Sequence, residues 1–154
     1  MAYRVAKEIY ASTAAEAFSG EGSRLTGGRW NMIDTPVVYT SWARSLAILE
    51  TLVHLVQEQI LSEHVLYTVT IPTELVEDVV TVQLSKTWRT NIEYDVTQQI
   101  GDEWFRSLRT PVLRVPSSIV EDEENFVINP LHPKFKQLRL SKKLPLPIDP
   151  RLLR

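Results

Sequence analysis

"TPVVYTSWARSLAILETLVHL", residues 35–55, is the passage whose reading decides the class of fold. Its first seven residues are β-branched and aromatic, introduced by a proline, and read as a buried strand. From there apolar residues recur at helical spacing (Leu46, Ile48, Leu49, Leu52, Val53, then Leu55, Val56 and Ile60), and Ser41 stands where a capping hydroxyl belongs. A helix is therefore expected from about Trp42 to Gln59.

Working outward toward the N-terminus, "YRVAKEIY" has the composition of an opening strand. "TAAEAFSGEG" begins like a helix and dissolves into a loop that carries Gly22, Gly27 and Gly28. Toward the C-terminus, "EHVLYTVTIP" alternates like a strand and stops at Pro72, and "DVVTVQL" is expected to be another. A second helix should start near Thr97 and carry Ile100, Trp104, Phe105 and Leu108 on one side. "TPVLRVPSSIV" reads as a strand ended by Pro116, and "ENFVINPLHPKFKQLRL" as a turn-rich passage leading into one more strand. The tail, residues 142–154, has three prolines in "KKLPLPIDPRLLR" and no period, and should lie extended along the surface. Strands outnumber helices and do not alternate regularly with them, which favours α+β over a doubly wound sheet. No repeat or linker divides the chain, so residues 1–154 are expected to form a single domain.

Composition narrows the function. A hydrophobic share of 44% in 154 residues suffices for a core without covalent staples. The absence of cysteine excludes disulfides and thiolate metal sites. His54, His64 and His132 are too scattered to suggest a metal centre, and none is expected. With a net charge of −2 and a pI near 5.9, no global cationic field would draw nucleic acid or a membrane surface, so any polyanion must be met by local arginines. There is no signal-peptide pattern and no apolar run of membrane-span length, which makes a soluble, cytoplasmic protein the expectation.

Several residues have both a plain and a chemical reading. In "RLTGGRWN", residues 24–31, Arg24 and Arg29 flank Gly27 and Gly28: a solvated surface turn, or a place where backbone approaches a phosphate that guanidinium groups grip. The spacing matches neither a dinucleotide fingerprint nor a Walker loop. Tyr39 is core filler or a flat face for a planar ring. Glu50 falls at the border of its helix's apolar stripe: an edge charge, or a carboxylate aimed at developing positive charge. Ser117 and Ser118 follow Pro116 as turn hydroxyls, without the context of a hydrolase nucleophile. Asn125, Asn129 and His132 are turn chemistry or pocket lining.

Order and spacing make the set specific. The segments "YRV", "AFSGEGSRLTGGRWN", "TPVVYTS", "SLAILETLVHL", "IGDEWF", "LRVPSSIV", "NFVINPLHPKF" and "DPRLL" run from about residue 3 to residue 153, and the chain that carries them resembles the RES-domain family of bacterial toxins. The resemblance implies a compact α+β domain similar to the ADP-ribosyltransferase toxins, with small split β-sheets around a cleft for NAD. By motif, Arg29, Tyr39, Glu50 and Ser117 look like the family's arginine, tyrosine, glutamate and serine, with Ser118 a second possible holder of the serine role. Arg24, Gly28, Arg4 and Asn129 would line the NAD site. The activity implied is cleavage of the nicotinamide–ribose bond of NAD+ as substrate, by hydrolysis or phosphorolysis and without a metal, leading to growth arrest. Mono-ADP-ribosylation of a cellular protein is the alternative. The partner implied is a helix-turn-helix antitoxin of the Xre type, with a toxin homodimer also expected.

Overall fold

The computed structural model describes residues 1–55, 61–80, 84, 87–90, 94–149 and 151. In chain order its elements are β1 (Ala2–Lys7), α1 (Ala14–Ala17), α2 (Glu21–Thr26), β2 (Val38–Ser41), α3 (Arg44–Leu52) and β3 (His64–Thr70). There follow β4 (Val76–Asp78), α4 (Tyr94–Ser107), β5 (Val112–Pro116), β6 (Glu124–Ile128), β7 (Arg139–Leu140) and β8 (Leu144–Pro145). The class is α+β, as the pattern of segments requires. No helix among the described residues is long and apolar enough to cross a membrane.

The eight strands follow the order β4-β5-β6-β2-β1-β3-β7, with β8 also paired to β3. β4 and β5 run parallel; the other pairs are antiparallel. The joint between β1 and β2 is narrow. These strands share only Tyr3↔Ser41, whereas β1 pairs with β3 continuously from Ala2↔Val69 to Lys7↔His64. The sheet is thereby split into β4-β5-β6-β2 and β1-β3-β7-β8, hinged at one residue pair. This is the division into small sheets that the family resemblance implies.

Each half of the core follows from strand alternation. Ala2, Val38, Tyr67, Val69, Val112 and Ile128 meet on one face, with Phe18 edge-on to Tyr67. Val127, Leu113, Val115, Trp30 and Trp104 meet on the other, where α4 packs. Burial of such side chains stabilises by about 1.5–3 kcal/mol each relative to exposure.

Four local expectations are corrected. The glycine-bearing loop contains α2, with Gly22 inside it; α2 follows a left-handed Gly20, and Ser23 Oγ anchors it by donating to Val37 O at 2.5 Å. The helix after β2 starts later and is shorter than expected: Ser41 stays in the strand, Ala43 is the cap residue without a side-chain bond, and helical geometry ends at Leu52. Val53 lies 57% exposed beyond that end, so the apolar repeat outruns the helix; residues 56–60 of the expected helix lie outside the described residues. Leu108 is not on the apolar side of α4, because it takes a left-handed φ of 51° just past the last turn and is exposed. The opening of "ENFVINPLHP" is not a turn but β6, which pairs on both sides, with β2 and β5. In addition, β4 forms at Val76–Asp78, and residues 81–83 of "DVVTVQL" lie outside the described residues. The tail contributes a short strand, β8.

Candidate functional site

The loop after α2 is bound to the rest of the molecule by polar side chains. Gly27 leaves α2 with a left-handed φ of +68°, where a Cβ would be strained. Gly28 and Asn31 then form a β-bridge. Buried Asn31 donates through Nδ2 to the carbonyls of Ser23, Met32 and Thr35 at 2.9–3.0 Å. Its Oδ1 accepts from the Tyr39 hydroxyl at 2.7 Å, and the same hydroxyl accepts from the Trp30 backbone N–H at 3.0 Å. Gly28 permits this arrangement: a Cβ there would sit 2.7 Å from Tyr39 Oη. Burial drives the Tyr39 phenol well above its ordinary pKa, and the nearby positive charge of Arg29 only partly opposes the shift.

Helix α4 closes the loop from outside. Gly101 lies so close that a Cβ would fall 1.8 Å from Trp30 O. Buried Asp102 accepts from Met32 N–H and Thr35 Oγ1, both at 3.0 Å, and Gln98 Nε2 donates to Gly28 O at 2.9 Å. Arg29 points toward residues 88–90 and Tyr94. It donates to the Trp88 carbonyl at 2.7 Å and, through longer bonds, to those of Arg89 and Thr90, and its guanidinium lies 4.6 Å from the Tyr94 ring centroid.

A second polar group gathers around Glu50 on α3. Its Oε1 accepts from Ser117 Oγ at 2.9 Å and from Asn125 Nδ2 at 2.5 Å. Ser117 is wholly buried, and its Oγ also accepts from the N–H groups of Ile119 and Val120 at 3.1 Å. The turn is fixed because Ser117 N–H donates to Glu123 O at 2.8 Å, bringing the end of β5 beside the start of β6.

Strand register brings the two groups together. Asn125 pairs with Ser41, and Val127 with Tyr39. Antiparallel partners share a face and residues two apart share a face, so Tyr39 and Asn125 are diagonal neighbours on one side of the sheet, about 7–8 Å apart at the backbone. The Arg44 guanidinium of α3 lies 5.9 Å from the Tyr3 ring, which places that helix over the same face at the split.

The other candidates are placed differently. Arg4 alternates with Ala2 and Ala6 on β1, opposite Tyr67, and so starts from the face away from the Tyr39 side chain. Its Nη1 reaches the split and donates to Tyr39 O at 3.0 Å. Arg4 Nε is buried without a hydrogen-bond partner, and desolvation pulls the guanidinium down to a pKa of about 10. Arg24 is bound at the surface to Glu21 at 2.8 Å and Asp34 at 3.1 Å. Asn129 is buried at the far end of β6, about 13 Å along the strand from Asn125. There it joins Phe105 O to Leu131 N, so the structure does not bring it to Glu50. Ser118 is half-buried beside Ser117, and Ser117 is the serine that reaches Glu50.

Two residues that order this region were not singled out as site residues by sequence reasoning. Asn125 reads from sequence as turn chemistry or pocket lining, and the alternation of "ENFVI" puts Asn125 and Val127 on one face. Asp102 belongs to an i,i+4 pair with Arg106, a recognisable helix signal that points here to a buried anchor.

Residues 1–149 match the RES domain. Toxin Res of Photorhabdus laumondii is 35% identical over 153 residues, covering 99% of this chain and 96% of the relative. Prs ADP-ribosylating toxin of Sphingobium is 36% identical over 143 residues, covering 91% and 89%. Among solved structures, the M. tuberculosis MbcT–MbcA toxin–antitoxin complex contains a chain similar in fold, with a TM-score of 0.75 at 21% identity, covering 99% of this chain and 85% of that one. With the match spanning nearly its whole length, the chain belongs to the RES domain family.

Proposed function

We propose that this protein is the toxin of a toxin–antitoxin pair and that it consumes NAD+ by breaking the nicotinamide–ribose bond. The observation that carries the reading is the Glu50 carboxylate, held by two donors on a rigid sheet and helix beside Tyr39 at the split between the half-sheets. Departure of nicotinamide leaves positive charge on the ribose, and a preorganised carboxylate acts on charge of that kind. Tyr39 offers a ring face to the nicotinamide. Arg4, half-buried at the split with its Nε buried and unpartnered, is the cation best suited to the diphosphate; Arg29 and Arg24 shape the surrounding loop through the bonds described above. No metal enters this reading, and the cytoplasm, where NAD is abundant, is its setting.

Water or inorganic phosphate is the acceptor in the first form of the proposal. Transfer of ADP-ribose to a protein is the second, favoured by the name of the Sphingobium relative, an ADP-ribosylating toxin. The MbcT–MbcA complex supports an antitoxin partner, for which we propose a helix-turn-helix protein of the Xre type, with the toxin itself dimeric.

Incubation of the purified protein with NAD+, with and without phosphate or cell lysate, tests these readings. Free nicotinamide with ADP-ribose or its phosphate supports the first, and labelled protein the second. Intact NAD+ from a protein that stays as toxic after Glu50→Ala overturns both.

A further inference from the structure

Asn125 and Ser117 hold one and the same oxygen of Glu50. The Ser117 hydroxyl has one proton and two lone pairs, and all three are occupied: the proton goes to Glu50 Oε1, and the lone pairs accept from Ile119 and Val120 N–H. A buried serine so engaged has nothing left to offer a substrate. Asn125 approaches from β6, the neighbouring strand, and places its amide N–H on Oε1 as well. Turning the amide over would set its carbonyl oxygen against the carboxylate, so the observed orientation is the favourable one.

The geometry points to Asn125 and Ser117 as a pair of positioning residues that lock Glu50 through Oε1 and leave Oε2 as the oxygen that meets the substrate. The inference rests on the NAD-cleaving reading above and deepens it. Both donors come from rigid parts of the molecule, Asn125 from a strand paired on two sides and Ser117 from a turn tied by the Glu123 carbonyl. A carboxylate on a short helix would otherwise sample several rotamers, and only a fixed one acts without reorganising during the reaction. Asn125 Oδ1 is buried with no hydrogen-bond partner in the structure, the condition of an amide oriented by the bond on its nitrogen. On this assignment Ser117 does not contact the nicotinamide carboxamide or the ribose.

A double-mutant cycle on NAD+ turnover tests the assignment, using Asn125→Ala, Glu50→Gln and their combination. It is joined by crystal structures of the parent and of Asn125→Ala, which read the place of the Glu50 carboxylate directly. Asn125→Ala is expected to lower kcat about tenfold or more with KM within about twofold, and to change the rate less than about twofold once Glu50 is already replaced. In the Asn125→Ala crystal the Glu50 carboxylate should leave its place beside Ser117 or divide between rotamers, because one of its two donors has been removed.

An equal loss in both backgrounds, a raised KM with unchanged kcat, or a Glu50 carboxylate that keeps its place without Asn125 overturns the proposal. If turnover of the Glu50→Gln protein is too slow to measure, the crystal structure decides. If Asn125→Ala does not fold, Asn125→Asp replaces it: a carboxylate facing Glu50 must drive the Glu50 side chain from its place, and an unmoved Glu50 overturns the proposal. If the parent leaves NAD+ intact, the functional reading falls on its own, and the variant's structure still tells whether Asn125 holds Glu50.

Discussion

Arg4 and Tyr39 are joined by a 3.0 Å bond from guanidinium to backbone carbonyl at the line where β1 and β2 part, and no described carboxylate forms a salt bridge with Arg4. A desolvated cation of this kind weighs against stability unless an anion joins it. Arg4→Met, similar in length and uncharged, should therefore raise the thermal midpoint at neutral pH, by about 1–2 kcal/mol of stability. It should also weaken NAD+ and pyrophosphate binding. Calorimetric unfolding with and without pyrophosphate checks both effects: the parent gains stability from the ligand and the variant does not.

Glu50→Gln keeps the shape of the side chain and removes its charge. NAD+ turnover should fall about a hundredfold or more, on the order of 3 kcal/mol, with little change in the denaturant midpoint. Rate and urea unfolding measured on one preparation separate loss of chemistry from loss of fold.

Gly28→Ala drives a methyl group into the Tyr39 hydroxyl and Asn31 Oδ1, which would lie 2.7 and 2.8 Å away. The loop must shift, costing about 1–3 kcal/mol of stability and reducing activity together with it. Gly101→Ala, facing Trp30 O at 1.8 Å, should do greater damage and abolish soluble folded protein. Urea denaturation and expression level report the two cases.

Arg29→Lys keeps a charge and loses the fork that meets the carbonyls of residues 88–90 and the flat contact with Tyr94. A loss of about 1–2 kcal/mol is expected. It should appear as faster proteolysis at residues 87–90, mapped by mass spectrometry.

Tyr39 also makes stability depend on pH. Its folded-state pKa is raised by burial, so the folded protein retains a proton that the unfolded chain gives up above about pH 10. Stability from this residue is complete below that pH and is lost as pH rises beyond it. Tyr39→Phe should be less stable than the parent at neutral pH by about 1–3 kcal/mol, through the unpartnered Trp30 N–H, and should show a shallower alkaline decline. Denaturant midpoints between pH 7 and 11 check both effects.

Much of this architecture was legible in the sequence because it rests on local rules. Residues 35–41 read as a strand by composition, and the strand contains β2; the helical spacing after it predicts α3. What escaped depends on distant partners. Val53 carries the helical period yet is 57% exposed, because the helix ends before the repeat does. β6 begins with Glu124 and Asn125, whose polarity suggests a turn, and only the donors required by Glu50 and the two flanking strands make it a strand. Asn129 and Arg24 illustrate the converse: their residue types suit a ligand, and nearby protein groups satisfy them first. The family resemblance pointed to Glu50 and Ser117, but which serine would face the carboxylate depends on a turn anchored by the Glu123 carbonyl.

β6 is central in space and late in the chain. A ribosome must synthesise through Ile128 before the half-sheet of β4, β5 and β2 can be completed, and Asn125 emerges only just before that point. Truncated or stalled products lack the strand that joins β2 to β5, so they have no route to an assembled centre. A chain that stops short of Ile128 therefore cannot hold Glu50 in place, and a partner that recognises the assembled centre meets only molecules in which β6 has joined β2 to β5.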